Sequence, residues 1–160
     1  MRAVKTAPKL NKAGVERALS QLRELVKARG LKASTVRDNI ARAALTIDGH
    51  FTIEELVESL PDAHIATVYR VLPLLIDAGL LQAAPGAQDQ GQRYERAFER
   101  EHHDHLVCTS CHKVVEFHFE TLEALQRDVA ESFGFSLTGH VHQLLGTCAT
   151  CRRKLQRVSN

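Results

Sequence analysis

The chain has 160 residues, 44% hydrophobic and 25% charged, with a formal net charge of +2, four cysteines and nine histidines. This is the make-up of a soluble globular protein with one good core or two small ones; it excludes a disordered chain and, lacking an apolar run near the roughly 20 residues of a membrane span, a transmembrane one. The opening MRAVKTAPKLNK has no apolar signal-peptide core, which predicts a cytoplasmic protein with reduced cysteines.

The small net charge conceals an asymmetry. Residues 1–42 carry eleven Lys/Arg against three acids, a local excess of +8 that would attract a polyanion, while seven of the nine histidines fall between His102 and His142. Within the basic part, Val15, Leu19, Leu22 and Val26 recur at helical spacing over 13–29, and Gly30 closes that helix. Ser34 caps a second helix with Val36, Ile40, Ala44 and Ile47 on one face. Thr52 and Glu55 make a capping box for a third, striped by Ile53, Leu56, Val57 and Leu60 and stopped by Pro61. A fourth covers 63–78 with Val68, Val71, Leu72, Leu75 and Ile76 inward, Pro73 marking a kink or turn.

LLQAAPGAQDQGQRYER then reads as two extended segments about a Pro/Gly-containing loop. Helices followed by a hairpin are the order of a winged helix-turn-helix, whose last helix enters the major groove of DNA. In that helix Ala66, Thr67, Tyr69 and Arg70 stay small or polar, as base edges would require, although the same periodicity describes an ordinary amphipathic helix. Beyond Glu99, HLVC and KVVEF form the arms of a hairpin, TLEALQRDVAESFG an amphipathic helix with Leu122, Leu125, Val129 and Phe133, and FSLTGHVHQLLG a further strand. The expected fold class is therefore α+β: a winged helix-turn-helix domain over 1–96, a hinge at 97–101 and a small α/β domain over 102–160.

HHDHLVCTSCHKVVEFH carries the metal chemistry. Cys108-x-x-Cys111 and Cys148-x-x-Cys151, 36 residues apart, are two knuckles that together make a closed tetrahedral sulfur cage for structural zinc. On a strand, His103 and His105 point to one face and His102 and Asp104 to the other, so the tetrapeptide can serve two sites, with Glu116 able to join one and His140 and His142 following later. Mixed histidine and carboxylate ligation suits Fe(II), Mn(II) or Zn(II). An open position would permit a metal-dependent hydrolase or oxygenase, but there is no HExxH, no acid/base pair beside a nucleophile and no cofactor loop. Attached to a DNA-binding half, the histidines read as a sensor rather than an enzyme.

GHFTIEEL, ATVYRVLPLLIDAGL, HHDHLVCTSCHKVVEF and CATC, in that order, resemble the ferric uptake regulator family of bacterial metal-dependent repressors. The resemblance implies a homodimer, a dimerisation role for the second domain and an inverted-repeat, AT-rich operator. It further implies a sensing site of His50, Glu95, His103, His105 and Glu116, with Glu99 or Glu101 as alternatives to Glu95, and a second site of His102, Asp104, Glu123 and His140. Its DNA contacts would fall on Lys32, Arg37, Thr67, Tyr69 and Arg70. Zinc regulators of the family place a cysteine in the sensing site and peroxide sensors an aspartate where this chain has Glu116, so iron is favoured, with manganese or zinc as alternatives.

Overall fold

The structure, a computed structural model, describes residues 2–3, 9–84 and 91–158. The chain divides between Arg100 and Glu101 into two compact units, and the N-terminal strand β1 (Arg2–Ala3) belongs to the second. The first unit contains α1 (Lys12–Ala28), α2 (Thr35–Thr46), α3 (Ile53–Glu58), α4 (Ile65–Asp77) and a hairpin of β2 (Leu81–Ala84) and β3 (Arg93–Arg96), a winged helix. Its Pro/Gly turn falls on 85–90, outside the described residues.

Local chemistry sets the helix ends. Asn11 and Ser34 side chains accept from the N–H groups of Gly14 and Arg37, and Thr52 and Glu55 complete a reciprocal capping box. Gly30 and Gly79 follow α1 and α4 in the left-handed conformation that a side chain would disfavour. Pro73 neither ends nor turns α4, which runs on to Asp77 because Val71, Leu72 and Leu75 anchor it in the core.

Leu19, Leu22, Ile40, Leu56, Val68, Leu75 and Leu80 are fully buried in one cluster, each such side chain contributing about 1.5–3 kcal/mol. Two expected core positions are exposed. Val36 lies in the first turn of α2, whose inward face is carried by Ile40, Ala41, Ala44 and Leu45, and Ile76 sits one residue past the inward-facing Leu75. Ala97 and Phe98 remain bound to the first unit through their N–H groups, both donated to the Leu80 carbonyl.

The second unit comprises β4 (Asp104–Cys108), β5 (Val114–His118), α5 (Glu120–Ser132), β6 (Gln143–Gly146) and α6 (Ala149–Val158), with sheet order β1-β5-β4-β6. β4 pairs antiparallel with β5 and parallel with β6, and the long connection that parallel strands need runs through β5 and α5. β6 is shorter than FSLTGHVHQLLG suggested, and β1 and α6 are additions to the sequence reading. Among the described residues, only Val107, Cys108 and Phe117 of this unit are buried apolar side chains. The expected inward stripe of α5 is open: Leu125, Val129 and Phe133 are exposed, Phe133 to 77%. No helix among the described residues is long and apolar enough to cross a membrane.

Candidate metal centres and DNA-contact face

Two turns of the second unit bring the cysteines together. The first knuckle closes the β4–β5 connection, where the His112 N–H donates to the Cys108 carbonyl and His112 takes a φ of 58°. The second stands at the end of β6 and the start of α6, and the parallel pairing of β6 with β4 sets it beside the first. One sulfur of each cysteine lies within 4.8 Å of the others, and Cys111 Sγ is 3.8 Å from Cys148 Sγ. Zinc–sulfur bonds of about 2.3 Å require tetrahedral sulfur–sulfur edges of about 3.8 Å, so the four thiols fit zinc.

The surroundings prepare these thiols for ligation. The Cys148 N–H donates to Cys108 Sγ at 3.3 Å and, with the Ser110 N–H, pulls the Cys108 thiol down to about 6. The Cys151 N–H likewise lowers Cys148, whereas hydrogen bonding to the Cys111 and Cys148 sulfurs pushes Cys151 up to about 12. Four thiolates cannot share so small a space unaided, and a divalent cation supplies the compensation.

The opposite side of the histidine tetrapeptide builds a second centre. β4 begins at Asp104, with His102 and His103 just before it. His102 Nε2 lies 3.6 Å from Asp104 Oδ1 and 3.2 Å from Glu123 Oε1. His140 Nε2 lies 3.4 and 3.7 Å from the same oxygens. Metal–nitrogen and metal–oxygen bonds of about 2.0–2.1 Å place neighbouring tetrahedral donors about 3.3 Å apart, so this set also fits a divalent ion. Asp104 is 1% exposed, and its Oδ2 has no hydrogen-bond partner among the described residues, a costly arrangement for a carboxylate without a cation.

The remaining ligand candidates occur as two groups, one in each unit. Phe51 and Tyr94 exchange backbone hydrogen bonds of 2.9 and 2.8 Å, and this antiparallel bridge sets His50 opposite Glu95. His50 Nε2 is accordingly 3.5 Å from Glu95 Oε2, and Glu95 is fully buried. Of the alternatives to Glu95, Glu99 is taken by Arg17 through two hydrogen bonds of 2.9 and 3.0 Å, and Glu101 is exposed, its carbonyl lying 3.0 Å from His103 Nδ1. In the second unit His105 and Glu116 are direct cross-strand partners, and the His103 and His105 rings are 4.8 Å apart. Sequence reasoning missed Gln82 and Arg100, which both bind Glu95; the hairpin register Gln82↔Glu95 was the signal available for the former.

A model of the ferric uptake regulator family matches residues 28–144. The chain is 34% identical over 146 residues to the ferric uptake regulation protein of Campylobacter jejuni, which covers 88% of this chain and 92% of the relative. The chain belongs to the ferric uptake regulator family. Its Escherichia coli relative, also a ferric uptake regulation protein, is 35% identical over 129 residues, or 78% of this chain and 86% of that one. The solved structure of the Helicobacter pylori ferric uptake regulator, described as revealing three functional metal binding sites, matches 95% of this chain and 97% of its own with a TM-score of 0.74 and 28% identity.

This ferric uptake regulator family member presents a mixed face on α4. Ile65, Ala66, Tyr69 and Arg70 are exposed, Tyr69 to 52%, and Thr67 is half-buried. The Arg70 guanidinium donates to its own helix, to the Ala66 carbonyl at 3.2 Å and Thr67 Oγ1 at 3.3 Å. Acids beyond residue 42 reduce the basic excess read from the first 42 residues: Lys9, Arg17 and Arg29 pair with Asp48, Glu99 and Asp77, whereas the partners of Arg23 and Arg42, Asp38 and Glu16, are already counted in that excess. Lys32 remains exposed between α1 and α2, its carbonyl accepting from Arg37 Nη1 at 3.0 Å.

Proposed function

We propose that the protein is a cytoplasmic, metal-responsive DNA-binding repressor that senses Fe(II), with Mn(II) or Zn(II) as alternative effectors, and controls metal uptake genes. The fully buried Glu95 beside His50, in the unit that also carries the winged helix, is the observation that carries the reading. It supports a sensing site that would draw part of its ligands from the DNA-binding unit itself. His103, His105 and Glu116 would supply the other ligands, the four cysteines would hold structural zinc, and His102, Asp104, Glu123 and His140 would form the third site. The three sites described for the Helicobacter pylori relative support that count. Bound metal would supply a Lewis-acidic centre that draws imidazole and carboxylate donors from both units; the chain's own part is to hold those donors with their protons removed.

A footprint of metal-free protein supplied with Fe(II), Mn(II) or Zn(II) in turn tests the function, and absence of sequence-specific protection with all three would remove it. A metal-dependent hydrolase or oxygenase would instead show turnover that vanishes on His103→Ala, with DNA binding indifferent to metal.

The operator would be an inverted repeat bound by a homodimer, since a two-fold protein reads two half-sites. The open stripe of α5 supports a second copy as its cover, because isolated small domains rarely expose so much apolar surface. Val129→Glu should therefore weaken the dimer by more than about 1 kcal/mol, checked by sedimentation. An unchanged dimer would place the interface elsewhere.

DNA contacts would come from Lys32, Arg37, Thr67, Tyr69 and Arg70. Arg70→Ala is expected to cost about 1–3 kcal/mol of operator preference if the guanidinium leaves Ala66 and Thr67 for a base edge, measured against a mismatched operator. Lys32→Ala should lower affinity evenly across sequences and flatten its salt dependence if it contacts phosphate, whereas a loss confined to AT-rich sites would mark minor-groove readout.

A further inference from the structure

Both oxygens of Glu95 are engaged by side chains of the first unit. Gln82 Nε2 donates to Oε1 at 2.9 Å, and Arg100 Nη1 donates to Oε2, the same oxygen that faces His50 Nε2 at 3.5 Å. The Arg100 side chain is 7% exposed and the Glu95 side chain 0%, so this is a buried ion pair in which the guanidinium supplies the charge that a carboxylate withdrawn from water requires. Arg100 is the last residue of the first unit. Burial and then the charge of Arg100 push the Arg96 guanidinium down; Arg96 is itself 8% exposed and donates to the Phe98 carbonyl at 3.0 Å.

We infer that Arg100 is an internal cation that competes with the sensed metal for Glu95 and thereby sets the metal concentration at which the protein responds. The inference rests on the assignment of His50 and Glu95 to the sensing site. A divalent ion on His50 Nε2 and Glu95 Oε2 needs the oxygen that Arg100 holds, and it brings two positive charges to a place already occupied by one. The guanidinium cannot give up its charge by deprotonation, so it must swing away before Glu95 can ligate. Metal affinity is then the intrinsic affinity of the ligands reduced by the cost of removing Arg100. Expulsion also exchanges a buried salt bridge for a solvated arginine at the end of the segment Ala97–Arg100, the stretch that leads into the second unit.

The test is a titration with Mn(II) alone on metal-free protein that retains its structural zinc, read by calorimetry, with melting temperatures taken before and after. Arg100→Met keeps the stem and removes the charge; it should bind Mn(II) roughly tenfold to a hundredfold more tightly than the parent, the range spanned by a charge-assisted hydrogen bond. Its metal-free form should melt lower than the parent while its Mn(II)-saturated form should not. Arg100→Lys, a point charge without the planar fork, should fall between and stands in if the methionine variant does not fold. In a Glu95→Gln background the methionine substitution should bring no tightening, since there is no carboxylate left to contest. Unchanged or weaker Mn(II) binding by Arg100→Met or Arg100→Lys, while His50→Ala loses it, would overturn the competition and leave the sensing site standing. Parent-like Mn(II) affinity in His50→Ala would instead remove the sensing-site assignment, and this inference with it.

Discussion

Cys108→Ser is expected to dissolve the second unit as a folded body, seen as loss of bound zinc, of cooperative melting for that unit and of the dimer. Among the described residues, the unit's buried apolar side chains are Val107, Cys108 and Phe117, too few to offset the conformational entropy of some sixty residues. The cysteine cage ties the β4–β5 turn to the start of α6, and in small modules the free energy of such binding, about 10–16 kcal/mol for zinc-finger sites, is folding free energy. Serine oxygen is a poor substitute for thiolate sulfur. Cys151→Ser should act alike from the other knuckle, while retention of a folded, zinc-loaded dimer in both variants would show the cage dispensable.

Acid should act in the same direction. Zinc requires thiolates, and in the metal-free site Cys108 ionises at about 6, a value lowered by the Cys148 and Ser110 N–H groups. A depressed value means that the thiolate's contribution is present at higher pH and is lost as pH falls through about 6. Below that point a proton competes with zinc for the Cys108 sulfur, which alone adds up to a tenfold loss of zinc affinity per pH unit. Resistance to a chelator should therefore fall steeply below about pH 6.

Legibility in the sequence followed the range of the physics. Short-range signals carried through: the Thr52–Glu55 capping box, the Ser34 cap, the glycine after α1 and the pairing of His105 with Glu116 all depend on neighbours in sequence or on strand alternation. Signals that depend on what covers a surface did not. Leu125, Val129 and Phe133 have the spacing of a buried stripe, yet a stripe does not name its partner, and the protomer leaves this one open. The helix α6 was missed although Cys151, Leu155 and Val158 recur at helical spacing, because the stripe is narrow and set among Arg152, Arg153, Lys154 and Arg157. Among Glu95, Glu99 and Glu101 the sequence has no means of choosing; the Phe51–Tyr94 bridge sets Glu95 opposite His50, and Arg17 claims Glu99. The basic excess was real in count but overstated in effect, since Lys9, Arg17 and Arg29 are neutralised by acids beyond residue 42.

His50→Ala should leave the dimer and its structural zinc intact while abolishing most of the metal-dependent part of operator affinity. His50 directly precedes Phe51, the residue that bridges the helices of the first unit to the wing strand β3, and its ring is not among the fully buried side chains that form the core. Its removal therefore costs the fold little. A ligand can move a conformational equilibrium only by its differential affinity for the two states, and an ion held by His50 and Glu95 together with His103, His105 and Glu116 would favour the arrangement that completes its shell. Without His50 the ion loses a donor from the DNA-binding unit, and the difference between the two states shrinks with it. By linkage, operator DNA must tighten metal binding by the same factor that metal tightens operator binding, so the loss should appear in both titrations. Couplings of this kind are typically 1–3 kcal/mol, a fivefold to 150-fold change in operator affinity, and most of it should vanish in the variant. Operator affinity measured against Fe(II), Mn(II) and Zn(II) for the parent and His50→Ala checks this and ranks the metals at once. Equal metal dependence in the two proteins would refute coupling through His50, and a response to Zn(II) at lower free concentration than the cell maintains for Fe(II) would shift the sensed metal from iron to zinc.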